Sequence, residues 1–150
     1  MKAIEKLFSF EGKVIIITGA AGAIGSSAGK LFASLGANVV ISDINEEGAK
    51  KVADAITKET GVEALGIKTN ATVESDLEEL VTVTLKKFGK ISGLINNVGW
   101  GANTSIWESN TDKMVQSYLL NTVGAYNLTK LCMPYLEKEP NASVVFSGSM

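Results

Sequence analysis

Three glycines, Gly19, Gly22 and Gly25, stand between the apolar run Val14-Ile15-Ile16-Ile17 and a stretch of helical character. A glycine-rich turn lets the backbone approach an anion. The helix that follows adds unpaired N–H groups and the positive end of its dipole. Thr18–Gly25 therefore reads as a phosphate cradle, with Gly19, Ala20, Gly22, Ala23, Ile24 and Gly25 as its binding residues. Asp43 closes the next apolar run, Val40-Ile41-Ser42, about 20 residues on, where a dinucleotide fingerprint needs an acid. A carboxylate there accepts hydrogen bonds from both adenosine-ribose hydroxyls and repels a 2′-phosphate. This pairing points to NAD(H) in preference to NADP(H).

Other chemistries fit less well. Gly29-Lys30 looks like the end of a phosphate-loop NTPase motif, but Leu31 follows where Ser or Thr is required, and Ile24 replaces the earlier glycine. The chain has no histidine, so neither a Ser-His-Asp triad nor a histidine-bound zinc site can be built from it, and no metal site is expected. It has no arginine either; its 14 basic residues are all lysine, which leaves no bidentate clamp for a phosphate monoester. A net charge of −2 gives no basic field for nucleic acid. No apolar run approaches the ~20 residues of a membrane span, and the charged Met1–Phe8 segment does not read as a signal peptide. The single Cys132 excludes an internal disulfide. These features lead us to expect a cytoplasmic protein with a small-molecule substrate, acting on neither nucleic acid nor membrane.

The elements that must hold the cradle alternate regularly. Strand-like runs cover Lys13–Thr18, Ala37–Ser42, Glu63–Lys68, Ser92–Asn96 and Ser143–Ser147, mostly rich in Val and Ile as parallel strands covered on both faces are. Helical stretches lie between them. Ile24–Leu35 is ended by Gly36, Glu46–Thr60 by Gly61 and Glu74–Phe88 by Gly89; a long one spans Thr111–Glu137. Val52, Ala55 and Ile56 suggest one packing face, and Leu77, Leu80, Val81, Val83 and Leu85 another. Thr72 or Ser75 is the expected cap of the third helix and Asn110 or Thr111 that of the fourth. The alternation predicts right-handed βαβ crossovers within one domain covering residues 1–150. The long Asn97–Asn110 connection, with Trp100 and Trp107, sits where open α/β sheets place function. Its two tryptophans are candidates for an apolar wall against a ring-bearing substrate.

Further residues carry a resemblance. Asn96-Asn97-Val98-Gly99 ends the fourth strand, Asn70-Ala71 follows the third, Leu120-Asn121-Thr122-Val123-Gly124 lies in the long helix, and Ser147-Gly148-Ser149-Met150 ends the fifth strand. With the glycine loop, this set resembles the short-chain dehydrogenase/reductase family over nearly the whole chain. The resemblance implies an α/β fold, a Rossmann-type doubly wound parallel sheet of about five strands in order 3-2-1-4-5. It implies hydride transfer between NAD(H) and a secondary alcohol or ketone, with the cofactor supplying the redox chemistry. Asn70 would read the adenine amino group, with Ala71 adding backbone contacts; Asn97 and Gly99 would line the nicotinamide ribose. Ser149, with Ser147 as its local rival, would donate a hydrogen bond to the substrate oxygen. Asn121 would hold, through its side chain, a water in the proton relay. The long helix would pack on a second copy, giving a homodimer or homotetramer.

Two departures qualify the resemblance. The family's middle loop glycine falls at Ala23, and here it is displaced to Gly22. The family's Tyr-x-x-x-Lys acid–base pair, expected after Ser149, is not among these 150 residues, which alone are expected to show negligible turnover. Tyr126 and Lys130 copy the spacing but precede Ser149, and read as a surface or interface pair. A non-catalytic NAD-binding module and another Rossmann-like enzyme, such as a methyltransferase, remain as alternatives.

Overall fold

A strand with no polar residue over four positions must be covered on both faces. In the computed structural model, which describes residues 8–101, 105 and 107–148, β1 (Val14–Thr18) is buried at every position. It pairs in parallel with β2 (Asn38–Asp43) on one side and β4 (Gly93–Asn96) on the other. β3 (Ala64–Lys68) extends the sheet beyond β2 and β5 (Ser143–Phe146) extends it beyond β4, giving the order β3-β2-β1-β4-β5. The register places Ile17 opposite both Ile41 and Ile95.

Alternation along β1 divides the core in two. Ile15 and Ile17 join Val39 and Ile41 beneath α1 (Ala23–Ser34) and α2 (Glu46–Thr60), which contribute Ala33, Ala49, Ala53 and Ile56. Val14 and Ile16 face the opposite layer, where α3 (Glu74–Phe88) and α5 (Ala125–Leu136) contribute Leu77, Leu80, Leu128 and Cys132. Burial pushes the Cys132 thiol up to about 12, so it packs as an apolar group. The sheet is thus doubly wound with the expected strand order, and its strand ends fall within one residue of those read from the sequence.

Helix ends follow local chemistry. Gly61 and Gly89 take left-handed conformations at φ 77° and 75°. Gly36, at φ 96°, follows the cap residue Leu35. The Asn110 carboxamide accepts the Lys113 N–H and caps α4 (Thr111–Tyr118). For α3 neither Thr72 nor Ser75 is the cap: Val73 occupies that position, without a side-chain bond, because the Thr72 hydroxyl is turned back to Asn70. On α2 the buried positions are Ala49, Ala53 and Ile56, with Val52 and Ala55 only half-buried, since the small residues face the sheet.

The largest difference lies in the long helix. Between α4 and α5 the chain forms a π-helical turn, Leu119–Gly124. Two contacts widen it. The Asn121 side chain reaches out to the backbone of Trp100, and Gly124 presses so closely on the loop after β3 that a Cβ there would lie 2.3 Å from the Ala71 carbonyl oxygen. Hydrophobic periodicity does not register one extra residue in a turn.

Candidate functional site

The cradle forms where β1 meets α1. Gly19 turns at φ 62°, and a Cβ there would stand 3.2 Å from Val98 Cα. A Cβ on Gly25 would fall 2.7 Å from both Ala20 Cα and Gly19 O, so α1 reaches the strand only with glycine at that position. Gly22 is different: apart from its chain neighbours, only Gly19 O lies within 4 Å of a Cβ built there. Ala20 is buried and its N–H donates to Ser42 O. Ala23 and Ile24 are exposed in the first turn, which carries no acid and no side-chain cap. The first backbone bond of α1 runs from Ser26 N–H to Gly22 O. Among the described residues, the N–H groups of Ala23, Ile24 and Gly25 have no partner. Three free donors at a helix N-terminus suit an anion.

Asp43 stands beside this loop. Its Oδ2 accepts the Ala21 N–H and its Oδ1 the Asn45 N–H, both at 2.9 Å. Each oxygen keeps a further lone pair, so the carboxylate can brace the loop and still accept two hydroxyls.

A cavity of about 320 Å³ brings Gly19, Gly22, Asp43, Asn70, Ala71, Asn97 and Gly99 together. Two threonine hydroxyls, of Thr18 in the cradle and of Thr69 after β3, belong to this region. Thr18, only 3 % exposed, uses its hydroxyl to accept the N–H groups of Asn97 and Val98 at 3.0 and 3.2 Å, locking the end of β4 to the end of β1. The Asn97 amide adds bonds to Thr18 O and Gly19 O, leaving its Oδ1 as the group still open. Asn96 is buried and donates to the Thr129 hydroxyl, tying β4 to α5. Thr69, on the cavity wall, has a buried hydroxyl with no partner. A buried threonine carries no sequence signal that separates such roles from ordinary packing.

Asn121 is tied to the loop after β4. Its Oδ1 accepts the Trp100 N–H at 2.9 Å, while its Nδ2 donates to Trp100 O at 2.8 Å and to Ser117 Oγ at 3.0 Å. Both amide protons are committed to protein. The π-turn around it breaks the ordinary helical pairing, and such turns recur at functional sites because they release backbone groups. Gly99 lies close by, its Cβ position 3.8 Å from Asn121 Oδ1. A second, more open cavity of about 390 Å³ adjoins Asn121, Ser117 and Tyr118. Trp100 is 42 % exposed and Trp107 92 % exposed. Tyr126 and Lys130 are exposed on α5. Ser149 lies outside the described residues.

A dinucleotide fits this donor set: free N–H groups for a pyrophosphate, Asp43 for a ribose and an adjoining cavity for a base. Comparison with known proteins decides the family, for the profile of the short chain dehydrogenases matches residues 13–150. The chain belongs to the short-chain dehydrogenase/reductase family. It is 34% identical over 140 residues to the 7alpha-hydroxysteroid dehydrogenase of Escherichia coli K12, covering 93% of this chain and 54% of that protein. It is 32% identical over 147 residues to the NADP-dependent mannitol dehydrogenase of Hypocrea jecorina, covering 96% and 55%. Among solved structures, a 7 alpha-hydroxysteroid dehydrogenase complexed with NADH and 7-oxo glycochenodeoxycholic acid superposes with a TM-score of 0.88 at 33% identity, covering 95% and 55%. The chain spans about half the length of the curated relatives it matches.

Proposed function

We propose that this chain is the dinucleotide-binding domain of an NAD(H)-dependent oxidoreductase that interconverts a secondary alcohol and a ketone. The observation that carries the reading is the pairing of three free N–H donors at Ala23, Ile24 and Gly25 with a carboxylate, Asp43, at the neighbouring strand end. When bound, the nicotinamide supplies the hydride chemistry. The chain's own residues bind and orient. Ala23, Ile24 and Gly25 hold the pyrophosphate through backbone N–H groups, with Ala20 and Gly22 shaping the approach. Asp43 accepts the adenosine-ribose hydroxyls and disfavours a 2′-phosphate, which selects NAD(H) over NADP(H). Asn70 and Ala71 line the base; Asn97 Oδ1 and Gly99 line the second ribose. Ser149 donates a hydrogen bond to the substrate oxygen. Asn121 acts through the Trp100 backbone that it grips, shaping the substrate side. The protein works in the cytoplasm as a homodimer or homotetramer built through residues 111–137.

Hydride transfer followed by NADH absorbance, across secondary alcohols and ketones that include ring-bearing ones, tests the reading on the full-length protein. Turnover with NAD(H) and at least tenfold less with NADP(H) is expected, the discrimination of roughly one well-made charged contact. Binding of NAD without turnover on any member of the panel would leave a binding module instead. The 150 residues alone are expected to bind NAD and to show no turnover, because they contain no Tyr-x-x-x-Lys after Ser149.

A further inference from the structure

The loop after β3 spends its polar groups unevenly. Asn70 Oδ1 accepts the Thr72 backbone N–H at 3.1 Å and the Thr72 hydroxyl at 2.9 Å. An amide oxygen carries two lone pairs, so this one is saturated. A backbone N–H cannot face an NH2 group, so the Thr72 bond also fixes which way round the carboxamide lies. The Asn70 backbone is engaged too: its N–H donates to Asp76 Oδ2 at 2.9 Å and its carbonyl accepts the Val73 N–H at 3.0 Å. Two donors are left over. Among the described residues, neither Asn70 Nδ2 nor the Ala71 N–H has a partner, and both residues line the cavity beside Asp43.

Building on the dinucleotide reading, we infer that this protein binds the adenine ring without reading its 6-amino group. The ring nitrogens of adenine are acceptors and the exocyclic amino group is a donor. The two leftover donors suit the ring nitrogens, and the saturated Asn70 oxygen leaves the amino group to water. Asn70 is then a positioning residue: it staples the loop through Thr72 and so presents the Ala71 N–H. An aspartate at this position keeps both Thr72 bonds on one oxygen and turns a second, unsatisfied oxygen outward, which creates the missing acceptor.

The test is calorimetric binding to the full-length protein of NAD and of its analogue with hydrogen in place of the adenine 6-amino group. The ring acceptors are unchanged and no bulk is added. The wild type is expected to bind the two within about twofold, and Asn70→Asp to favour NAD by about tenfold, the size of one charge-assisted hydrogen bond. A wild-type preference for NAD beyond about twofold overturns the inference, as does an Asn70→Asp protein that discriminates no better than the wild type. Failure of the wild type to bind either dinucleotide overturns the cofactor reading itself, a separate result.

Discussion

Asp43 has two duties, and the consequence can be measured. Its carboxylate holds the Ala21 and Asn45 N–H groups as well as facing the cavity, so it sets the shape of the cradle and the charge beside it. Asp43→Ser shortens the side chain and removes the charge. It is expected to raise the Kd for NAD by about tenfold to a hundredfold, as losing a charged acceptor does, and to narrow the gap to NADP. Titration with both dinucleotides checks this; an unchanged NAD-to-NADP ratio removes Asp43 from the discrimination. Gly25 makes a simpler prediction. A methyl there would meet Ala20 Cα and Gly19 O at 2.7 Å, so Gly25→Ala should cost about 1–3 kcal/mol, an overpacking penalty read from denaturant unfolding, and should weaken NAD binding. Both residues were legible in the sequence, because glycine spacing and a strand-end acid reflect local backbone chemistry. Thr18 was not: its hydroxyl matters only because β4 arrives beside β1 with two N–H groups to satisfy.

At the scale of elements the π-turn is the deciding feature. It sets Gly124 against the Ala71 carbonyl on one side and Asn121 against Trp100 on the other, so one turn of helix touches both the loop after β3 and the loop after β4. Gly124→Ala would put a methyl 2.3 Å from that carbonyl oxygen. The expected outcome is a displaced Ala71 loop and several-fold weaker NAD binding, together with the Tm loss that an overpacking cost of about 1–3 kcal/mol produces in a domain of this size. An unchanged Kd with a lowered Tm would show that the contact is only packing. The strands, by contrast, were read to within a residue, since continuous β-branched runs bounded by Gly and polar residues leave little choice of period. The helix carrying Asn121 was read as regular because the apolar pattern on either side of the turn continues without a visible break.

For the whole molecule, the N-terminal ends of β1 and β4, opposite the end of the sheet that carries Asp43, are fastened by a polar cluster. Glu139 accepts from the Ser92 hydroxyl at 2.9 Å and lies 3.5 Å from both Lys13 and Lys90. Burial alone would push its carboxyl up, but the Ser92 hydroxyl and the two ammonium groups outweigh that and hold it below the usual carboxylate range. A carboxyl lowered by folding contributes stability above its unfolded pKa, near ~4.3, and that stability disappears as pH falls through the folded value. Glu139→Gln should therefore lower Tm at neutral pH, with the gap to wild type closing in acid. A gap that stays constant down to acid pH would refute the role. Association is the other molecular-scale expectation. Met114, Val115 and Tyr118 on α4 and Tyr126 and Met133 on α5 are exposed, an unusual load of apolar surface for one helical segment. Substituting Met114 and Tyr126 together by Lys should reduce a dimer to monomer in sedimentation velocity. The sequence by itself determined the strand and helix alternation, the glycine cradle and Asp43, because periodicity and short-range backbone chemistry are written in neighbouring residues. Only the tertiary structure decided that Asn70 faces its own loop, that Asn121 grips Trp100 and that Thr18 joins two strands. Those outcomes depend on which donors and acceptors meet across 2 to 80 positions of chain once the sheet has formed, and spacing along the sequence does not encode that.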